Sequence, residues 1–191
     1  MPNKKECIKN FAVLVIFMGQ MLSGFSQNQF YDIDVNNSDI SFKISHMAFL
    51  TVDGNFSGFA GKISLKDSTL ISVNCKIKVQ SINTKDKTRD ESLLDKVYLD
   101  AENHPFISFK SKKIDTDIAT PQLIGILKIK DVEKEVSMPF ELHHAEAGKK
   151  IRLELETTLN RRDFGLDFGQ MDSLVGDDIK VAIEILGERV P

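Results

Sequence analysis

The chain has 191 residues with 25 basic and 28 acidic side chains, which gives a formal net charge of −3. This length suits one compact domain that can bury a sizeable core. Because the composition has no basic excess and the sequence no polybasic segment, we expect neither a nucleic-acid partner nor a cationic face for anionic membranes.

The first 26 residues have the pattern of a secretory signal peptide. Three lysines precede the apolar run 11–18, which is too short to span a bilayer comfortably, and Gly24 and Ser26 place small residues at the −3 and −1 positions. We predict cleavage after Ser26, which leaves residues 27–191 as one periplasmic or secreted domain without a stable membrane span. A retained N-terminal anchor is the alternative.

Residues 39–46 form the first clear strand, because apolar and polar side chains alternate along them. Ile40, Phe42 and Ile44 share the face that we expect to turn inward, and His46 ends that face. No nucleophile or metal-binding motif accompanies His46, so the pattern favours a hydrogen-bonded structural histidine over a catalytic one.

A second extended segment changes its phase between Phe56 and Phe59. Such a change needs an extra residue in the strand, and Gly54, Gly58 and Gly61 supply the backbone freedom for a bulge or a sharp bend. Glycines that bend strands are typical of a sheet that closes into a barrel.

The segment from residue 70 to residue 79 alternates strictly, with Ile71, Val73, Cys75 and Ile77 on its apolar face. Cys75 is the single cysteine after residue 26, so we expect no internal disulfide. We interpret it as a small buried hydrophobic side chain rather than a reactive thiol.

One short helix interrupts the strands. Thr88 and Glu91 have the spacing of a capping box, and Leu93, Leu94 and Tyr98 follow with helical spacing. We expect this helix to cover one end of the sheet or to pack across its opening.

The remaining strand candidates are residues 106–114, 123–129, 135–142 and 150–159 and a last strand that ends near Ile185. The five residues from 130 to 134 are short enough for a hairpin turn. With eight or nine antiparallel strands and one short helix, the sequence predicts an all-β, lipocalin-like barrel of the up-and-down kind.

Several short motifs follow the order in which they occur in a known family. They are YDID (31–34), SDISFKISH (38–46), VDGNF (52–56) with Phe59 and Gly61, SINT (81–84), Arg89-Asp90 with Leu93, His104-Pro105 through Phe109 and Ser111, GIL (125–127) and RDFGL (162–166). On these motifs the chain resembles the YceI-like polyisoprenoid-binding proteins of bacterial periplasms. The family usually has Trp where Tyr31 stands and Gly where Asp131 stands. The resemblance implies an extended barrel whose apolar tunnel holds a long isoprenoid or similar lipid, without catalysis.

An eight-stranded barrel is about the smallest whose interior can hold one ligand instead of being filled by side chains. We predict a lining that is aliphatic or Phe apart from one histidine and one cysteine, which suits a hydrocarbon and offers few donors to a polar substrate. The predicted lining residues are Ile40, Phe42, Ile44, His46, Phe56, Phe59, Ile71, Val73, Cys75, Ile77, Phe109, Leu127, Phe140, Leu153, Leu155, Phe164, Val181 and Ile183.

The leading hypothesis is non-catalytic binding, storage or transport of a long apolar lipid, a polyisoprenoid or an isoprenoid quinone, with no metal and no cofactor. If the head group carries phosphate, Arg89, Arg161 and Arg162 are the candidates to bind it. The alternative for each arginine is a surface position or a salt bridge to Asp90 or Asp163.

Two other hypotheses share the barrel but not the ligand. One is a closed structural or interaction barrel without any ligand, filled by its own side chains. The other is sequestration of fatty acids or fatty amides in a stress response. Homodimerisation through an exposed sheet edge also stays open.

Overall fold

The computed structural model describes residues 28–47 and 49–190, without the side chains of Gln170 and Met171. The predicted signal peptide lies outside the described residues. The described chain contains eleven β-strands and one α-helix, α1 (Lys87–Leu94). The strands are β1 (Asn28–Ile33), β2 (Asp39–His46), β3 (Leu50–Phe56), β4 (Phe59–Lys66), β5 (Thr69–Lys78), β6 (Ile82–Asn83), β7 (Phe106–Asp115), β8 (Gln122–Ile129), β9 (Val132–Ala145), β10 (Lys150–Asn160) and β11 (Val175–Arg189). Short 3-10 turns lie at Val35–Asn37, Val79–Ser81, Glu146–Gly148, Arg161–Phe164 and Gly169–Leu174.

Eight strands close a barrel in the order β1, β4, β5, β7, β8, β9, β10 and β11, and β11 pairs with β1 to complete the ring. Every pair of neighbouring strands in the ring is antiparallel. The strands β2, β3 and β6 extend the sheet from β11. The all-β, antiparallel, lipocalin-like barrel predicted from the sequence is therefore confirmed. Within the described ranges, no helix has the length and apolar character needed to cross a membrane.

Two walls of the barrel are long strands that break in the middle. The long strand β11 pairs with β2 up to Glu184 and with β1 from Gly187 onward, so β1 and β2 lie end to end along one edge. A 3-10 turn at Val35–Asn37 separates them. Because β3 pairs with β2 and β4 pairs with β1, β3 and β4 continue each other in the same way across Ser57 and Gly58. These two breaks turn the eight ring strands into ten, and the two-residue strand β6, which pairs with β3, is the eleventh, where the sequence predicts eight or nine.

The glycines near this second break permit close packing rather than an unusual backbone. A Cβ atom at Gly54 would lie 2.3 Å from Cζ of Phe42, and one at Gly61 would lie 2.2 Å from the carbonyl oxygen of Asn74. Neither glycine has a positive φ. Phe42 is the cross-strand partner of Gly54, so the missing side chain makes room for the phenyl ring.

A bulge in β5 reverses the predicted orientation of Ile71. Leu65 of β4 pairs with Leu70, whereas Ser64 pairs with Ser72, so Ile71 is the extra residue in the ladder. Leu70 is buried and Ile71 is 41% exposed. The predicted alternation along β5 therefore holds only beyond the bulge.

Two local predictions are wrong in detail. The cap of α1 is Asp86 and not Thr88, because the Asp86 carboxylate accepts the backbone N–H of Arg89 at 3.1 Å. The β8–β9 hairpin turns at Lys130 and Asp131 alone, since β9 already begins at Val132.

The two ends of the barrel differ in how they are filled. At the closed end, where the β4–β5 and β9–β10 turns lie, Tyr31, Ile63 and Ile151 are less than 2% exposed. The Tyr31 hydroxyl donates to the carbonyl oxygen of Gly148 at 2.7 Å and ties β1 to the β9–β10 turn. At the opposite end, called the mouth, lie α1, the β2–β3 turn and the 3-10 turn Gly169–Leu174.

Candidate functional site

A cavity of about 520 Å³ occupies the barrel and reaches the mouth. The deep part of the cavity is bordered mainly by aliphatic and phenyl side chains. Its volume shows that the protein's own side chains do not fill the interior of the barrel. The structure places fourteen of the predicted lining residues on this cavity: Ile40, Phe42, Ile44, His46, Phe56, Val73, Cys75, Ile77, Phe109, Leu127, Leu153, Leu155, Val181 and Ile183.

The other four predicted lining residues lie elsewhere, and their placement corrects the prediction. Ile71 points outward because of the bulge in β5. Phe59 and Phe140 are buried in the main hydrophobic core, where they pack against neighbouring side chains instead of bordering the cavity. Phe164 belongs to a 3-10 turn and packs in a second core cluster near the mouth.

Strand alternation could have found most of the additional lining residues, because they share a face with residues predicted on the same strands. For example, Ile107 shares a face with Phe109 and Met138 with Phe140. The additional aliphatic lining residues on strands are Ile33, Val52, Ile63, Ile82, Ile107, Leu123, Ile129, Met138, Leu159, Ile179 and Ile185.

The residues around the mouth come mainly from the helix and from irregular segments. The predicted helical stripe, expected at one end of the sheet or across its opening, includes Leu93 and Tyr98, and Arg89 is a predicted head-group contact. No periodicity marks which of the other side chains of these segments face a cavity. The mouth residues that border the cavity are Thr84, Arg89, Ser92, Leu93, Tyr98, Leu99, Leu166, Asp167, Phe168 and Val175. The polar and charged side chains of the lining are thus concentrated at one end of an apolar tunnel.

A hydrogen-bond network fixes Arg89 at the mouth. Its guanidinium donates from Nε to Oγ1 of Thr84 and from Nη2 to the Thr84 carbonyl oxygen, both at 2.8 Å. Thr84 is held in turn by Asp90, whose Oδ1 accepts from the Thr84 hydroxyl at 2.5 Å and from its backbone N–H at 2.8 Å. Among the described residues, no carboxylate lies within salt-bridge distance of Arg89. Arg89 therefore presents an oriented positive charge to the tunnel.

Arg161 has a structural position that differs from the predicted one. Its side chain is fully buried and donates to the carbonyl oxygens of Gly176 at 3.0 Å and Leu166 at 2.7 Å. Its Nη1 also donates to the Asp172 carboxylate at 2.5 Å, and its guanidinium lies 5.1 Å from the ring centre of Phe168. Because every part of the guanidinium is engaged, Arg161 orders the loop beside the mouth and does not face the tunnel.

Arg162 is half exposed and pairs with Asp172 at 2.7 Å and with Asp177 at 2.8 Å. Arg161 and Arg162 therefore both form salt bridges, but with Asp172 and Asp177 rather than with the predicted partner Asp163. The pKa of Asp172 is held well below its usual range, mainly by the hydrogen bond from the Arg161 side chain. The backbone N–H of Phe168 and the side chain of Arg162 lower it further. Of the three predicted head-group contacts, Arg89 is the one that borders the cavity.

Two side chains of the lining with chemically reactive groups are His46 and Cys75. His46 lies at the mouth, and its ring has no hydrogen-bond partner among the described residues, which differs from the structural role that we expect from the sequence. Burial raises the pKa of the Cys75 thiol to about 11, so the thiol is protonated and weakly nucleophilic at neutral pH. In the described part of the chain, no group of three or more His, Cys, Asp or Glu side chains could hold a metal ion.

Comparison with known sequences identifies a protein family and related bacterial proteins. The pattern that defines the YceI-like domain matches residues 31–186. A UPF0312 protein from Photorhabdus laumondii is 28% identical over 173 residues, which cover 87% of this chain and 90% of that protein.

Solved structures share the fold. The crystal structure of Burkholderia cenocepacia BcnA matches with a TM-score of 0.72 and 21% identity, over 81% of this chain and 98% of that one. A domain from Saccharophagus degradans, described as polyisoprenoid binding, matches with a TM-score of 0.68 and 13% identity, over 84% of this chain and 98% of that one. At these identities the likeness concerns the architecture of the barrel.

Proposed function

This chain belongs to the YceI-like family, and on that premise we propose that its tunnel binds a long apolar lipid, a polyisoprenoid or an isoprenoid quinone, without catalysing a reaction. The observation that carries the proposal is the cavity of about 520 Å³, whose strand-borne lining is apolar apart from a few small polar side chains such as Ser41 and Thr157 and whose charged side chains, Arg89 and Asp167, lie at the mouth. A structural neighbour described as a polyisoprenoid-binding domain supports the same ligand class. We also propose that the protein works after export, once residues 1–26 have been removed.

The lining favours hydrocarbon for an energetic reason. Each buried methylene contributes ~0.8 kcal/mol, so ten of them would contribute about 8 kcal/mol before the costs of association are subtracted. The tail alone can therefore provide most of the affinity, and the length of the tail should decide it.

Arg89 suggests which head group completes the ligand. A guanidinium has only donors, so the head group must accept hydrogen bonds. Asp167 also borders the mouth, and Arg161 and Arg162 are occupied by Asp172 and Asp177. With one cation and one acid on the lining, a neutral acceptor such as a quinone carbonyl or a prenol hydroxyl fits better than a diphosphate.

Titration of delipidated protein tests the proposal. We expect geranylgeraniol to bind, geraniol to bind at least about a hundredfold more weakly because its tail is shorter, and geranylgeranyl diphosphate to bind no better than geranylgeraniol. Oleamide tests the fatty-amide alternative, since tighter binding of oleamide than of the prenol would change the ligand class. Failure of the protein to bind any of these tails would overturn lipid binding itself.

A pair of variants on β5 shows where the lipid lies. Cys75→Phe places a ring in the cavity, whereas Ile71→Phe adds the same bulk at an exposed position of the same strand. We expect Cys75→Phe to bind geranylgeraniol about tenfold more weakly or worse, and Ile71→Phe to bind like the wild type. Equal binding by both variants would place the ligand outside the tunnel.

A further inference from the structure

The β2–β3 turn exposes large apolar side chains at the mouth. Phe49 is 85% exposed, Leu50 51% and Met47 40%. Leu174 and Val97 are also exposed. These five residues are called the rim. Exposed apolar side chains that cluster, rather than occurring singly, mark an interaction surface.

The rim is continuous with the tunnel lining. Met47 directly follows His46, Leu174 directly precedes Val175, and Val97 directly precedes Tyr98, and these three neighbours all border the cavity. The backbone N–H of Met47 donates to the carbonyl oxygen of Leu174 at 2.7 Å, which holds two parts of the rim together. An apolar path therefore leads from the outer surface into the cavity.

The β2–β3 turn carries no charge that would select a charged partner. Residues 44–52 contain no Asp, Glu, Lys or Arg, and the flanking Lys43 and Asp53 pair with each other at 3.5 Å. At the mouth the rings of Tyr98 and Phe168 lie 5.6 Å apart. Uncharged apolar tips beside a tyrosine suit the boundary between the head groups and the acyl chains of a bilayer.

We propose that the rim docks the protein on a lipid bilayer, with the mouth of the tunnel facing the membrane. This inference rests on the proposed function, since a tunnel for hydrocarbon needs a route that keeps the lipid out of water. Docking through the rim would let a lipid tail pass from the bilayer into the cavity along apolar side chains. Because the β2–β3 turn, which carries the most exposed side chain of the rim, lacks charge, we expect docking to be reversible and to depend little on anionic lipid or salt.

Flotation with phosphatidylcholine vesicles tests the docking, with protein expressed as the full chain and purified. The rim variant is Phe49→Ser with Leu50→Ser. The matched control is Phe30→Ser with Ile118→Ser, which removes two exposed apolar side chains away from the mouth. We expect the rim variant to lose about tenfold or more of its partitioning onto vesicles, and the control to partition like the wild type. All substituted positions are exposed, and unchanged melting temperatures would show that both variants fold.

Three results would overturn the docking proposal. They are wild-type protein that does not float with the vesicles, a rim variant that floats as well as the wild type, and a concentration-dependent dimer that disappears in the rim variant without vesicle binding. Geranylgeraniol titration in the same preparations separates this proposal from the proposed function. Prenol binding without flotation refutes docking alone, whereas the absence of prenol binding refutes the lipid tunnel whatever the vesicles show.

Discussion

A single buried cation organises the loop beside the tunnel mouth. Arg161 donates to the carbonyl oxygens of Leu166, Asp172 and Val175, which lie along the segment that contributes Asp167 and Phe168 to the mouth. An apolar side chain of similar length would leave these carbonyls without this donor and would remove one of the three donors of the Asp172 carboxylate, the others being Arg162 and the backbone N–H of Phe168. The shape of the mouth thus depends on one residue that does not face the tunnel.

Replacing Arg161 by Met should therefore destabilise the protein by about 3–5 kcal/mol, the range for removing one partner of a buried ion pair. Arg162→Met is the matched control, because Arg162 has the same acidic partners but is half exposed, and we expect a much smaller loss. Urea unfolding monitored by circular dichroism measures both. Equal losses in the two variants would show that the buried position has no special role.

The Asp172 carboxylate adds a pH dependence with a defined sign. Its pKa is lowered in the folded protein, mainly by Arg161. A group with a lowered folded pKa contributes stability above its unfolded pKa and loses it as the pH falls toward the folded value. We expect Asp172→Asn to flatten the decline in stability below about pH 4, and an unchanged acid limb of the stability curve would contradict this.

Cys75 offers a chemical probe of the lining. Its pKa is raised from 9.0 to about 11, because burial disfavours the thiolate. Two pKa units lower the thiolate fraction about a hundredfold, so at pH 8 we expect folded protein to react with Ellman's reagent far more slowly than unfolded protein. As the pH rises, the thiol ionises in the unfolded protein before it ionises in the folded one. Between about pH 9 and 11, Cys75 therefore lowers the free energy of unfolding. Rapid reaction of folded protein, with Cys75→Ala as the blank, would show an exposed thiol.

At the scale of the element, the pairing of β2 with β3 places the Phe42 ring against Gly54. Gly54→Ala should cost about 1–3 kcal/mol, because the new methyl group would overlap the phenyl ring. The cost should be smaller when Phe42→Leu is introduced first, since the shorter side chain leaves room. Thermal or urea unfolding of the four proteins of this cycle measures the coupling, and additive effects would rule out the proposed contact.

The same scale shows what the sequence could and could not predict. Alternation found the strands of the barrel and fourteen lining residues, because period two directly reports the face of a strand. It failed at Ile71, where a bulge shifts the register between two strands and leaves no mark in the sequence of either one. It also missed Phe168, whose segment has no period, and the partners of Arg161, which are separated from it by eleven and sixteen residues.

At the scale of the whole molecule, the barrel combines a closed end, an apolar interior and a polar mouth. Tyr31 and its neighbours fill the closed end, and within the described residues the cavity is bordered by the mouth segments on the side of α1. The barrel is that of the YceI-like family, and its cavity of about 520 Å³ leaves space for a ligand. A filled structural barrel, one of the alternatives considered from the sequence, does not agree with that space.

The central claim is that a lipid occupies this space, and native mass spectrometry tests it most directly. The full chain would be expressed in a bacterium that makes isoprenoid quinones, purified, and weighed before and after extraction with organic solvent. We predict a mass excess of one lipid per barrel, with a polyisoprenoid or isoprenoid quinone in the extract. The mass of the bare protein, an extract free of lipid, and no uptake of added geranylgeraniol would together contradict it.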